Sequence, residues 1–132
     1  MSNVECPCGQ GEYEKCCQPL HLGQSRAQSA AQLMRSRYSA FAKQKIDYIV
    51  QTTALGQQQV LDVAAIAEWS RSNQWVKLDV VQANEKLDKN HAMVEFKAYY
   101  HDGTSPQIHH EISHFVKPVS YTHLTLPTSD LV

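Results

Sequence analysis

The pattern of apolar and polar positions changes once along the chain, from helical spacing to alternation. Between residues 30 and 43, apolar side chains recur close to the spacing of one helix face. Ser29 precedes this stretch and is a preferred capping residue, so we predict a helix from about Ala30 to Lys43. Its apolar positions include Ala31, Met34, Tyr38, Phe41 and Ala42.

Two further helical stretches are predicted before Asn73. Ile46, Ile49 and Val50 continue the helical pattern for about two turns. Gly56 and the Gln run at 57–59 then interrupt it. A second helical segment is expected over about 61–70, with Leu61, Ala64, Ala65 and Trp69 among its positions.

After Asn73 the apolar period becomes two, which is typical of β-strands. The first predicted strand has Val76, Leu78 and Val80 at alternate positions. The second has Ala92, Val94, Phe96, Ala98 and Tyr100.

A turn signal, His-Asp-Gly-Thr at 101–104, follows the second strand, and a third strand is predicted over about 107–117. The sequence does not decide which face of this strand points inward, because a row of apolar residues alternates with a row of mixed polarity. The first row is Ile108, Ile112 and Val116, and the second is Glu111, Ser113 and Phe115. Helices followed by an antiparallel meander predict an α+β domain.

Composition narrows the class of protein. The 132 residues are 42% apolar and 19% charged, which suits one compact domain plus a short appendage. The net charge of −1 gives no broad basic field for nucleic acid. We see neither a membrane-length apolar run nor a signal peptide, and therefore expect a cytoplasmic protein with reduced thiols.

All four cysteines, Cys6, Cys8, Cys16 and Cys17, fall in one Gly- and Pro-containing segment near the N-terminus. Four thiolates can hold Zn²⁺ in a tetrahedron, and so short a segment would take its folding energy from the metal. We therefore predict a Zn²⁺ site. The alternatives are disulfides, a reactive thiol, or His21 as the fourth ligand if Cys16 or Cys17 points away.

The segment Cys6-Pro-Cys8-Gly-x-Gly, closed by Cys16-Cys17, resembles the SEC-C motif, a zinc knuckle that also forms the tail of the translocation ATPase SecA. That motif usually has eight residues between its second and third cysteines. Here seven separate Cys8 from Cys16 and eight separate Cys8 from Cys17, so the roles of the adjacent pair stay open.

The rest of the chain is similar to the YchJ-type family of uncharacterised bacterial proteins. The resemblance rests on residues 33–41 (LMRSRYSAF), residues 47–49 (DYI), and Glu111-x-Ser113-x-Phe115. It implies a SEC-C knuckle over 1–22 and, over 28–117, an NTF2-like domain in which helices pack on a curved antiparallel sheet. It implies no established reaction.

Residues 118–132 depart from that resemblance. Where the family continues into a final strand and a second cysteine knuckle, residues 119–124 read Val-Ser-Tyr-Thr-His-Leu, which one frame of a common sequencing adapter encodes. We expect a non-native tail and a missing last strand, and the alternative is a divergent native tail. No function is assigned to His123.

Arg37, Tyr38 and Glu111 are candidate pocket residues, because NTF2-like domains often carry a pocket between their helices and sheet. A buried structural ion pair of Arg37 is the alternative, since a buried guanidinium normally needs a carboxylate partner. The histidines are expected at the surface. His110 and His114 share a strand face but would stand about 13 Å apart, too far for one ion.

Three functions are compatible with these residues. The first is a binding or adaptor protein whose zinc knuckle contacts a protein partner, by analogy with SecA. The second is a small-ligand-binding or enzymatic domain using the cavity near Arg37, Tyr38 and Glu111. The third is a zinc-stabilised structural module. The sequence contains no Ser-His-Asp order, phosphate loop or HExxH stretch, and so favours binding over catalysis.

Overall fold

The computed structural model describes residues 4–25, 27–52, 62–88 and 91–116. Helices come first in the chain and an antiparallel sheet follows, which confirms the α+β class. The elements are a 3-10 helix (Tyr13–Lys15), α1 (Gln18–His21), α2 (Ala30–Lys43), α3 (Ile46–Gln51), α4 (Val63–Ser72), β1 (Gln74–Asp88), β2 (His91–His101) and β3 (Pro106–Val116). The predictions for Gly56, Leu61 and 118–132 lie outside the described residues.

Helix α2 has the bounds that the sequence predicts, and its start is fixed from two sides. The Ser29 side chain accepts a hydrogen bond from the backbone N–H of Gln32. The Glu85 carboxylate, on β1, accepts the backbone N–H groups of Ala30 and Ala31 at 2.8 and 3.1 Å. The first turn of α2 is thereby joined to the sheet.

The end of α2 is a left-handed residue. Gln44 has φ 60° and ψ 38°, and its backbone N–H returns to the last carbonyls of the helix. The chain then begins α3 in a new direction. The helical pattern at Ile46 and Ile49 therefore belongs to a separate short helix, where the sequence predicts a continuation.

The sheet has strand order β1-β2-β3 with antiparallel pairing, and β2 carries the core. Its inward row is the predicted one: Ala92, Val94, Phe96 and Ala98 are all buried. The predicted alternation fails in β1, because a bulge between Trp75 and Lys77 turns Val76 outward and leaves it 62% exposed.

The open question of β3 is answered by its pairing with β2. Phe96 lies opposite Glu111 and Ala92 opposite Phe115, and cross-strand partners share a sheet face. The inward row is therefore Glu111, Ser113 and Phe115. Ile108 and Ile112 face outward and are exposed.

An aromatic cluster joins the helices to the sheet. The ring of Trp69 on α4 lies 4.8 Å from that of Trp75 on β1 and 5.5 Å from that of Phe41 on α2. Phe96 and Phe115 are fully buried in the same core. Among the described helices, none is long and apolar enough to cross a membrane.

Candidate metal centre

The first cysteine pair sits on a tight turn. The backbone N–H of Cys6 donates to the carbonyl of Gly11 at 2.7 Å, and that of Gly9 donates to the carbonyl of Cys6 at 2.8 Å. Gly9 adopts φ 83°, a left-handed conformation that residues with a side chain rarely take. This turn brings the sulfurs of Cys6 and Cys8 close to each other.

The second pair lies at the junction of two short helices. Cys16 follows the 3-10 helix, and its backbone N–H donates to the carbonyl of Tyr13. Cys17 is the residue before α1, in whose first turn Pro19 lies. This helical junction gives the adjacent cysteines different directions, so that both can reach the first pair.

The four sulfurs form a compact group, all within 4.8 Å of one another. The Sγ of Cys8 lies 3.5 Å from that of Cys16 and 3.8 Å from that of Cys17, and Cys16 and Cys17 are 3.9 Å apart. A disulfide bond would need about 2.05 Å. Tetrahedral thiolates with metal–sulfur bonds of about 2.3 Å would stand about 3.8 Å apart, so the group has the size of a four-sulfur metal cage.

The thiols perturb one another strongly. Hydrogen bonds from Cys17 and Cys8 hold the pKa of Cys6 well below its usual range. Conversely, hydrogen bonds to Cys6 and Cys8 raise the pKa of Cys17, and burial together with the interaction with Cys8 raises that of Cys16 to about 12. Crowded thiolates repel one another, and a divalent cation among them would remove this obstacle to ionisation.

His21 is not one of the four groups at this centre. Its Nδ1 lies 2.6 Å from the Tyr13 hydroxyl and its Nε2 lies 2.8 Å from the carbonyl oxygen of Ser36. Both Cys16 and Cys17 turn towards the other sulfurs. The structure therefore does not favour the alternative in which His21 is the fourth ligand.

The centre is packed on the helix–sheet domain. The Sγ of Cys6 is 3.3 Å from the hydroxyl of Ser39, a fully buried residue of α2. The Nζ of Lys43, at the end of the same helix, lies 4.6 Å from the centre of the Tyr13 ring. Ser39 is not among the predicted site residues, although it lies in the 33–41 stretch that resembles the YchJ-type family.

Two shallow clefts flank the sulfurs. One of about 210 Å³ is lined by Cys8, Cys16 and Cys17 and by the polar side chains of Gln32 and Arg35. The other, of about 230 Å³, lies between the first cysteine turn and the start of β1. The knuckle thus offers concave surface on two sides.

The three candidate pocket residues do not share one environment. Arg37 is buried and donates to the carbonyl of Ile49 at 3.0 Å and to the hydroxyl of Thr52 at 2.5 Å. Burial lowers the pKa of Arg37 to about 10, opposed by the nearby charge of Glu111. Tyr38 instead packs edge-on against Trp75.

Arg37 and Glu111 are therefore electrostatic neighbours, while Tyr38 is a core residue whose hydroxyl has no hydrogen-bond partner in the part of the chain that the structure describes. A ligand pocket at the three residues stays a prediction.

The histidines of β3 lie on both faces of the strand. His110 is exposed on the outer face as expected, whereas His109 is half-buried on the inner face.

Comparison with known proteins adds to this geometry. Residues 29–121 match the family profile described as YchJ, middle NTF2-like domain. A UPF0225 protein of Actinobacillus succinogenes is 42% identical over 113 residues, which is 85% of this chain and 73% of that protein. A UPF0225 protein of Haemophilus influenzae is 38% identical over 132 residues, covering 99% of this chain and 81% of its own length.

Two solved structures have the same fold. A crystal structure of a SEC-C motif containing protein from Psychrobacter arcticus has a TM-score of 0.86 at 39% identity, covering 98% of this chain and 83% of that one. The solution structure of a SEC-C motif containing protein from Rhodopseudomonas palustris has a TM-score of 0.84 at 34% identity, covering 98% and 99%.

Proposed function

The chain belongs to the YchJ-type (UPF0225) family, and from that premise we propose that it is a zinc-binding protein whose N-terminal knuckle docks a protein partner. The observation that carries the zinc half of the proposal is the group of four sulfurs within 4.8 Å, three of them on buried residues. This donor set suits a soft, tetrahedral ion.

The closed set of four thiolates supports a structural rather than a catalytic zinc. Catalytic zinc sites keep one position open for water or substrate, whereas structural sites use four protein ligands. Among the residues that the structure describes, the buried cluster at the sulfurs holds one residue that is not a cysteine, Tyr13. The role of the metal would therefore be to stabilise the conformation of the knuckle surface.

The shape of that surface supports docking. The clefts beside the sulfurs border exposed polar residues, among them Gln10 on one side and Glu5 on the other. Each cleft is of a size that admits one or two side chains of a partner. Because cysteines line both clefts, we expect loss of the metal to disrupt the two clefts together.

Metal analysis of the purified full chain tests the first half. We expect about one equivalent of zinc per chain, lost together with knuckle signals in NMR spectra when a chelator is added. Cys6→Ser combined with Cys8→Ser should bind far less metal. Less than about half an equivalent in the unaltered protein would contradict the proposal.

Crosslinking tests the second half. A photo-reactive residue at Gln10 should capture a cellular partner, and that capture should be lost in the Cys6→Ser, Cys8→Ser variant. The same residue placed at Asp79, an exposed position of β1, serves as the matched control. Equal capture from the two positions, or capture that survives loss of the cysteines, would exclude the knuckle as the docking surface.

A further inference from the structure

The hydroxyl of Tyr38 is a buried polar group that the helix–sheet domain leaves unpaired. The residue is 1% exposed, and no hydrogen-bond partner for its oxygen lies in the part of the chain that the structure describes. The two other buried tyrosines of that part are both paired, Tyr13 with His21 and Tyr48 with Ser36. Since an unpaired buried hydroxyl costs stability, this one indicates a bond that forms in another state of the protein.

Tyr38 lies on the side of the domain that carries the knuckle. The next residue of α2, Ser39, places its hydroxyl 3.3 Å from the Cys6 sulfur. The Tyr38 ring packs edge-on against Trp75, and the three residues of β1 that follow Trp75 line one cleft together with Cys8. Burial and the nearby charge of Cys8 raise the pKa of Tyr38. Cys8 is therefore the ligand residue closest in electrostatic terms to the unpaired hydroxyl.

The Cys8 sulfur would lose hydrogen-bond donors when a metal binds. The Cys17 thiol donates to it at 3.8 Å, and the Cys16 sulfur lies 3.5 Å from it. Metal binding removes the protons of both thiols, because cysteines bind metals as thiolates. The backbone N–H of Gln10, which also acts on the Cys8 sulfur, would remain. A loaded Cys8 thus has capacity for one further donor.

We infer that the Tyr38 hydroxyl donates a hydrogen bond to the Cys8 thiolate when the centre holds zinc, and this inference rests on the zinc centre proposed above. Two successive residues of α2 would then support the first cysteine pair, with Ser39 at Cys6 and Tyr38 at Cys8. Such outer groups orient metal ligands and stabilise their negative charge. Tyr38 is thereby a positioning residue that couples the core of the domain to the knuckle.

Tyr38→Phe tests the inference, because it deletes the oxygen and keeps the ring against Trp75. Zinc affinity should fall about tenfold in competition with a chromogenic chelator. The chelated variant should be no less stable in urea than the chelated unaltered chain, since the deleted hydroxyl has no partner there. A variant that loses stability in urea but keeps its zinc affinity would overturn the inference.

Tyr48→Phe is the matched control at a second buried tyrosine. Its hydroxyl lies 2.7 Å from that of Ser36, so its removal breaks a bond inside the domain. We expect the opposite result, a lower urea midpoint with the zinc affinity of the unaltered chain. Equal losses of affinity in the two variants would assign the effect to general loosening of the domain and would refute a specific role of Tyr38.

Cobalt in place of zinc gives a spectroscopic signature of the bond. A hydrogen bond lowers the energy of the sulfur lone pairs, so its loss should move the sulfur-to-cobalt charge-transfer band to longer wavelength. Tyr38→Phe should show this shift and Tyr48→Phe should not. An unmoved band in Tyr38→Phe would refute donation to the thiolate.

The unaltered chain separates this inference from the zinc proposal itself. If it holds about one equivalent of zinc and Tyr38→Phe binds zinc equally tightly, the metal centre stands and the role of Tyr38 is refuted. If the unaltered chain binds no zinc, both are refuted. Tight binding that weakens in Tyr38→Phe alone supports both.

Discussion

The knuckle and the helix–sheet domain are packed together but built on different principles. Around the sulfurs, the buried cluster consists of Cys6, Cys8, Cys17 and one aromatic residue, Tyr13. The domain instead buries apolar side chains from α2, α3, α4, β2 and β3, and partly buried side chains of β1 pack against them. A segment of some twenty residues cannot bury enough apolar surface to fold alone, so we expect the first unit to need bonds to a metal, whereas the second needs only packing.

The two units meet at His21. This residue bonds to the Tyr13 hydroxyl on the knuckle side and to the Ser36 carbonyl on the domain side, and its ring lies 4.8 Å from that of Tyr48. Breaking one unit at a time, and then the contacts between them, tests how independent they are.

The largest effect is expected from removal of the metal. Structural zinc contributes about 10–16 kcal/mol to the folding of small metal modules, so Cys8→Ser or a chelator should unfold the knuckle. Two-dimensional NMR should show loss of signals from residues 4–22 while those of α2 and β2 persist. Collapse of the β2 signals at the same time would show that the domain depends on the metal.

A large cavity in the core of the domain should destabilise the domain and leave the metal content unchanged. Phe96 is fully buried at the centre of β2, and Phe96→Ala should cost about 3–5 kcal/mol of unfolding free energy. Urea denaturation measures this loss. The metal content of the folded variant should stay at that of the unaltered chain, and a parallel loss of metal would show that the units are coupled through the sheet.

A smaller effect is expected where α2 contacts the cage. Ser39→Ala removes the hydroxyl that lies 3.3 Å from the Cys6 sulfur, and metal affinity should fall about tenfold, as is usual for groups that support metal ligands. Competition with a chromogenic chelator measures the affinity. Ser70→Ala is the control, because this equally buried hydroxyl bonds to the Phe41 carbonyl instead. Similar affinities in both variants would argue against a contribution from Ser39.

The smallest effect is expected at the contact between the units. Tyr13→Phe deletes the hydrogen bond to His21 and should cost about 1 kcal/mol without releasing the metal. Tyr99→Phe, on the outer face of β2, is the comparison, and thermal unfolding of the metal-loaded chains gives the difference. No difference between the two variants would mean that the hydroxyl bond does not hold the units together.

Local signals predicted helix α2 and the grouping of the four cysteines. Ser29 and the apolar spacing fix the start of α2, and four cysteines within twelve positions leave few chemistries open. Two features that sequence reasoning missed depend on pairing between strands. The bulge at Val76 and the inward face of β3 are set by partners on β2, which no local pattern reveals.

The hydrogen bond between His109 and Glu111 on β3 also could not be predicted without knowing the strand pairing. His109 and Glu111 are two residues apart, a spacing that places them on one strand face, and this was an available signal. The choice of face was the missing fact. The apolar side chains of Ile108 and Ile112 favoured the opposite face as the inward one, but both residues are exposed.

The Glu85 carboxylate at the start of α2 bears on the order of events in folding. Its two bonds join positions that are 55 and 54 residues apart, so they can form only after a long stretch of chain has been closed. The Ser29 cap, by contrast, is local and can act as soon as the first helical turn forms. Loss of the Glu85 carboxylate should therefore accelerate unfolding and leave the refolding rate nearly unchanged, whereas loss of the Ser29 hydroxyl should slow refolding.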